Sequence, residues 1–172
     1  MATEYPPVVI VNSEDEITGS AALADAWQKG LTHRIVMVVV EDYEGRILLH
    51  KRAPTQKLFP GRWDIAGGHV DVTPAYIKSA RLELWEEVGI RDVPLKQVAY
   101  IYTEDPYDNG VRAKRFIKIY WTQYDGQAIT PGADEVTETG WFTREEIAKL
   151  YDEHPELVSE CLYRSLPYIL NT

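Results

Sequence analysis

Glu83, Glu86 and Glu87 stand at spacings of three and four residues. On an α-helix those spacings bring side chains onto one face. Like charges so placed repel by roughly a few tenths of a kcal/mol per pair, so the cluster costs helix stability unless something neutralises it. Hard divalent cations bind carboxylate oxygens, and Mg²⁺ typically uses one or two carboxylates plus waters and substrate phosphates. One reading is therefore a Mg²⁺ or Mn²⁺ site. The other is a solvated acidic helix face, the default for a charged helix in an acidic chain. The flanks bear on the choice: Gly67-Gly68 precedes the segment, and Gly89 follows the last glutamate as a helix stop.

The elements that hold these residues can be read in order. Val8-Val9-Ile10-Val11 reads as a strand running into the polar turn 12–16. Ser20 is a cap for a helix that runs through Lys29 and stops at Gly30. Arg34 to Val40 is almost continuously apolar and β-branched, the pattern of a strand buried on both faces. Arg46 to Arg52 reads as its return strand in a hairpin, and Arg62 to Ala66 as a short strand feeding the two glycines. Thr73 as N-cap and Pro74 in the first turn open the glutamate helix. Ile77, Ala80 or Arg81, Leu84 and Val88 form its apolar stripe, with the glutamates off that stripe and Trp85 an exposed or partly packed aromatic.

Strands follow at Val93 to Tyr102, Val111 to Gln123 and Glu135 to Phe142, with turns or loops at 105–110 and 126–134. Thr143 and Glu146 make a capping box for a helix to Tyr151. Pro155 opens a last helix with Leu157, Cys161, Leu162 and Leu166 inward. Strands around one long helix, with helices at the end, make an α+β layout.

With these elements in place, the segment Gly67 to Ile90 resembles the Nudix box, G-x5-E-x7-R-E-U-x-E-E-x-G-U, where U is a bulky aliphatic residue. Gly68, Glu83, Leu84, Glu86, Glu87, Gly89 and Ile90 fall in register. Pro74 stands where the first Glu belongs and Leu82 where the Arg belongs, with Arg81 one place early. The resemblance implies a Nudix-type α/β/α sandwich with a mixed β-sheet, over roughly Arg34 to Tyr151. The whole chain then reads as one Nudix domain, with an N-terminal strand and helix over 1–33, a core over 34–151 and a C-terminal helix over 152–172.

The run LLHKRAPTQKLFPGRWDIAGGH is similar to the Nudix branch that includes isopentenyl-diphosphate isomerases. That isomerase needs a cysteine immediately before Gly-His, where Gly67 stands, and an acidic pair on a central strand, where Val111 to Arg115 carries no carboxylate. These departures argue against isomerase chemistry. His33 and His69 lie near points where the isomerases bind a metal. Two histidines alone are short of ligands, and hydrogen-bonded strand histidines are the plainer reading.

The resemblance implies a Mg²⁺-dependent hydrolase, with Mn²⁺ a possible substitute, that cleaves a diphosphate linked to another group. It implies Glu83 and Glu87 as core metal ligands, with Glu86 and the Gly68 carbonyl assisting. For the general base the family pattern implies either a box glutamate, Glu83 or Glu86, or one from a later loop. Glu135 is the candidate there, and Glu138 the second. Arg52, Lys57, Arg62 and Lys114 are the basic residues expected to meet substrate phosphates. A catalytically weak domain that binds a nucleotide or a protein as a sensor is the competing reading.

The bulk numbers bound the rest. A formal net charge of −9 on 172 residues argues against a nucleic-acid backbone as partner. One cysteine, Cys161, allows no internal disulfide and suits a reducing, cytoplasmic setting. No apolar run is long enough to span a membrane. The apolar N-terminal strand and C-terminal helix either pack within the chain or form the seam of a homodimer.

Overall fold

The computed structural model describes residues 6–71, 75–106 and 112–171. The expected cap and first turn at Thr73 and Pro74, and the Asn109-Gly110 turn, lie outside the described residues. The organising element is β3 (His33–Glu41), whose residues are buried from His33 through Val40. Successive strand side chains point to opposite faces, so this single run feeds two cores. Val36, Val38 and Val40 face one, while Ile35, Met37 and Val39 face the other.

Along one edge β3 pairs in parallel with β8 (Arg112–Gln123), from His33↔Arg115 to Glu41↔Gln123. β7 (Lys96–Pro106) pairs antiparallel with β8. The expected strand from Val93 thus starts three residues later and runs further. The other edge is shared. β1 (Val8–Val11) meets β3 at His33, and β6 (Ala66–His69) covers Ile35 to Val38. β4 (Ile47–Arg52) meets β3 only at Glu41↔Ile47. The hairpin expected there therefore splays: β4 leaves its sequence neighbour and pairs with β9 (Val136–Phe142) and β5 (Trp63–Asp64). The short strand read over Arg62 to Ala66 is two strands, β5 and β6, broken at buried Ile65.

The N-terminal segment also differs. Ser20 caps no helix; it lies in β2 (Ile17–Ala21), which pairs antiparallel with β1. α1 (Leu23–Lys29) begins after it and stops at Gly30 in the left-handed conformation, as expected from the glycine.

The glutamate helix is α2 (Tyr76–Val88), closed by left-handed Gly89. Tyr76, Ala80, Leu84 and Val88 pack on the even face of β3. The odd face is covered by Ile147 of α3 (Arg144–Glu153) and by Leu162, Leu166 and Ile169 of α4 (Glu160–Leu170). Helices thus lie on both sides of a mixed sheet. The Thr143/Glu146 capping box forms, satisfying two backbone N–H groups at the start of α3. Pro155 opens only a 3₁₀ turn, and α4 starts afresh with Ser159 as its N-cap. Leu157 is therefore exposed and Cys161 only partly buried, while Ser165 and Ile169 join the inward face. Both the β1 strand and α4 bury their apolar faces within the chain.

Candidate active site

α2 delivers its glutamates to the end of β6. The two glycines of β6 let the carboxylates approach the backbone. At Gly68 a Cβ would collide with the Glu83 carboxylate. The Gly67 N–H donates to Glu87 Oε2 at 2.8 Å. Glu87 is consequently buried on the packed side of α2, not off the apolar stripe as its position suggested. His50 of β4 stands on its other side, with Nε2 3.9 Å from Glu87 Oε1.

A buried ion pair backs this group. Asp64 of β5 is 2% exposed and lies 3.3 Å from Arg52 Nη1. Arg52 also donates to the Leu58 carbonyl and to Gln56 Oε1, which holds its guanidinium at the end of β4. Burial raises the Asp64 carboxyl, and the Arg52 charge opposes that rise. Burial and the Arg52 charge leave His50 neutral, its pKa lowered to about 3. Neither ring nitrogen of His50 has a hydrogen-bond partner among the described residues.

A cavity of about 310 Å³ opens over these residues. Glu83, Glu86, Glu87, Glu135, Asp71 and Arg52 line its charged side. Burial first, then the charges of Glu86 and Glu135, push Glu83 up to about 8. Burial, then Glu83 and Asp64, push Glu87 well above the usual carboxylate range. Glu86 is raised by burial, Glu135 and Asp71. Burial and mutual repulsion thus hold Glu83 and Glu87 toward their protonated forms, and the Arg52 charge offsets this only in part.

Glu135 reaches this group through a loop that closes α2. Thr130 N–H donates to the Val88 carbonyl at 2.9 Å and Gly132 N–H to the Glu87 carbonyl at 3.2 Å. Two helix-end carbonyls are thereby satisfied by the loop that carries Glu135. Ala53 N–H then donates to the Glu135 carbonyl at 2.7 Å, tying that loop to the end of β4.

The remaining expected residues lie elsewhere. Glu138 is on β9, paired with Lys51 at 3.8 Å. Arg62 donates to the Val158 carbonyl and stacks on Phe59. Lys114 lies opposite Glu104 on the β7–β8 ladder. Lys57 is exposed between two residues of the cavity wall, Gln56 and Leu58. Arg81, beside the box position, donates to the Val93 carbonyl, and Leu82 takes a place in the cavity wall. Asp64 and His50 were not anticipated from sequence. His33 and His69 stack at 5.3 Å, His33 contacts the Leu31 carbonyl through Nδ1, and burial lowers both.

The donor chemistry fits a hard divalent cation: carboxylate oxygens of buried Glu87 and part-buried Glu83, with those of exposed Glu86 and Glu135 lining the same cavity. Among the described residues no three His, Cys, Asp or Glu side chains already converge on one point.

The Nudix domain model matches residues 31–161. The chain is 34% identical over 156 residues to the uncharacterized Nudix hydrolase YfcD of Escherichia coli (strain K12), covering 88% of this chain and 81% of that protein. It is 31% identical over 151 residues to isopentenyl-diphosphate Delta-isomerase 2 of Photorhabdus laumondii, covering 87% and 84%. Among solved structures, DR0079 from Deinococcus radiodurans superposes with a TM-score of 0.75 at 21% identity, covering 95% of this chain and 98% of that one. The Nudix sandwich and the likeness to the isomerase-containing branch, both expected from the box and its upstream run, are thus met, and this chain belongs to the Nudix hydrolase family.

Proposed function

We propose that the protein hydrolyses an organic diphosphate with the help of Mg²⁺, with Mn²⁺ as a possible substitute. The observation that carries this reading is the gathering of Glu83, Glu86, Glu87 and Glu135 with Arg52 around one cavity. Glu83 and Glu87 would hold the cation, with Glu86 and the Gly68 carbonyl assisting. Bound there, it supplies charge neutralisation and lowers the pKa of water.

The chain's own residues do the rest. Arg52, oriented by Asp64, Gln56 and the Leu58 carbonyl, meets a phosphate oxygen in the cavity that the glutamates also line. The oxygen of water forms a bond to phosphorus, and the bond from that phosphorus to the bridging oxygen breaks. A carboxylate takes the water proton, with Glu135, which its loop brings into the cavity wall, as the candidate base and Glu83 or Glu86 as the alternatives. Positioning and charge stabilisation are the main sources of rate in phosphoryl transfer. Isomerase chemistry is disfavoured because Gly67 stands where the isomerase carries its cysteine and offers no side chain to move a proton.

The test compares wild type with Glu83→Gln and Glu87→Gln on a panel of organic diphosphates with Mg²⁺. Each substitution is expected to lower kcat/KM by about a hundredfold or more, on the scale of losing one electrostatic stabiliser. Turnover unaffected by both would refute the site. A second reading, a binding domain with little turnover, is favoured by Leu82 in the cavity wall where the family carries Arg. Saturable Mg²⁺ and ligand binding without hydrolysis would support it.

A further inference from the structure

The cavity has two kinds of lining. Beside the carboxylates and Arg52 stand Pro6, Val8, Leu23 and Trp27, with Leu58 and Leu82. The first four precede residue 31, where the match to the Nudix domain begins. They belong to this chain's N-terminal segment.

That segment is firmly seated. Val8 and Leu23 are 2% and 4% exposed and pack with Ala26, Trp27 and Leu31. Val9 N–H donates to the Val70 carbonyl at 3.0 Å, and Val8 bridges Asp71. Trp27 meets the His69 ring edge-on at 5.9 Å, and His69 is next to Gly68. The tryptophan is therefore fixed relative to β6, whose Gly67 and Gly68 meet the glutamates.

A hydroxyl-rich group against this wall would lose water and gain few partners, at roughly 1–3 kcal/mol for each unpaired group. A flat apolar group would gain contact area and a ring–ring interaction. At about 310 Å³, the cavity lies at the small limit of ligand sites. The organic group must be compact.

We propose that β1 and α1 form the specificity wall of the active site, with Trp27 its specificity-determining residue, and that the substrate is a diphosphate bearing a compact aromatic group. This rests on the diphosphate reading above, and the experiment separates the two.

Calorimetry with Mg²⁺ present compares benzyl diphosphate, ribose 5-diphosphate and inorganic pyrophosphate on wild type, Trp27→Ala and Trp27→Phe. Wild type is expected to bind benzyl diphosphate at least tenfold tighter than the other two. Trp27→Ala should remove that advantage and leave pyrophosphate binding unchanged, while Trp27→Phe keeps most of it. Equal wild-type affinity for the benzyl and ribose compounds would overturn the proposal, and needs no variant to fold. So would a Trp27→Ala variant that weakens pyrophosphate as much as benzyl diphosphate, or no binding of any of the three. Turnover is measured separately on the same compounds. Trp27-dependent binding without hydrolysis would sink the hydrolase reading and leave the specificity wall standing.

Discussion

A methyl group on Gly68 would meet only the far end of the Glu83 side chain, whereas one on Gly67 would meet the Val36 backbone. The two neighbouring glycines should therefore respond differently. Gly68→Ala is expected to fold with near wild-type stability while pushing the Glu83 carboxylate aside and lowering kcat/KM by about tenfold or more, since small misplacements at a reacting centre are costly. Gly67→Ala should lower the melting temperature, because sheet backbone must move. Thermal melts beside kinetics on both variants check this.

His33 gives a residue-scale pH prediction. Its folded pKa is lowered to about 4 from 6.5, chiefly by burial. Between those values the unfolded chain binds more protons, so stability rises with pH and is lost as pH falls through that window. The contribution is up to about 3 kcal/mol. Urea midpoints at pH 7 and pH 5 should differ, and His33→Asn should shrink the difference. An unchanged difference would exclude His33 as a source.

At the scale of elements, the loop over 130–135 both closes α2 and presents Glu135. A Cβ on Gly132 would collide with the Glu86 carbonyl, so Gly132→Ala must lift the loop from the helix end. The expected outcome is a kcat lowered about tenfold or more with Mg²⁺ affinity little changed, read by kinetics and calorimetry together. Equal loss of both would place the loop's role in metal binding instead.

Legibility also divides at this scale. The glycine-flanked glutamates, the β-branched run of β3 and the Thr143 box are local patterns, and each names its element correctly. β2 was missed because Ile17 to Ala21 is mostly exposed and its neighbouring alanines favour helix. The departure of β4 from β3 depends on β9, ninety-odd residues later, and no local pattern encodes that pairing. Asp64 and His50 sit in ordinary strand sequence and become notable only when tertiary packing buries them beside Arg52 and Glu87. The placement of Glu87 off the apolar stripe fails for a similar reason: its burial comes from the β6 backbone, which the helix periodicity does not contain.

For the whole molecule, the carboxylate cluster sets function against stability. Glu83, raised to about 8 from 4.5, contributes stability below 4.5 that is lost as pH rises through 8. At pH 8 the metal-free protein should be destabilised by this charge, and Mg²⁺ should reverse it by binding only the folded state. At a hundredfold excess over Kd, binding contributes about 2.7 kcal/mol, or a Tm rise of about 5 °C or more in a chain of this size. Glu83→Gln should raise the metal-free Tm at pH 8 and abolish most of the Mg²⁺ shift. Calorimetric scans with and without Mg²⁺ decide it; a full shift in the variant would remove Glu83 from the site.

The turn that joins β1 to β2 carries Asp15, whose left-handed backbone sets its carboxylate toward Arg34, Tyr76 and Tyr100. Those partners lie 19, 61 and 85 residues along the chain. During synthesis the turn emerges early, yet it cannot close its full set of bonds until β7 has been made. Closing long loops carries an entropy cost before any contact rewards it. The β1–β2 turn is therefore among the last parts of the fold to lock. Refolding followed at Trp27 should lag behind collapse of the β3 core, and Asp15→Ala should mainly speed unfolding and leave the folding rate nearly unchanged.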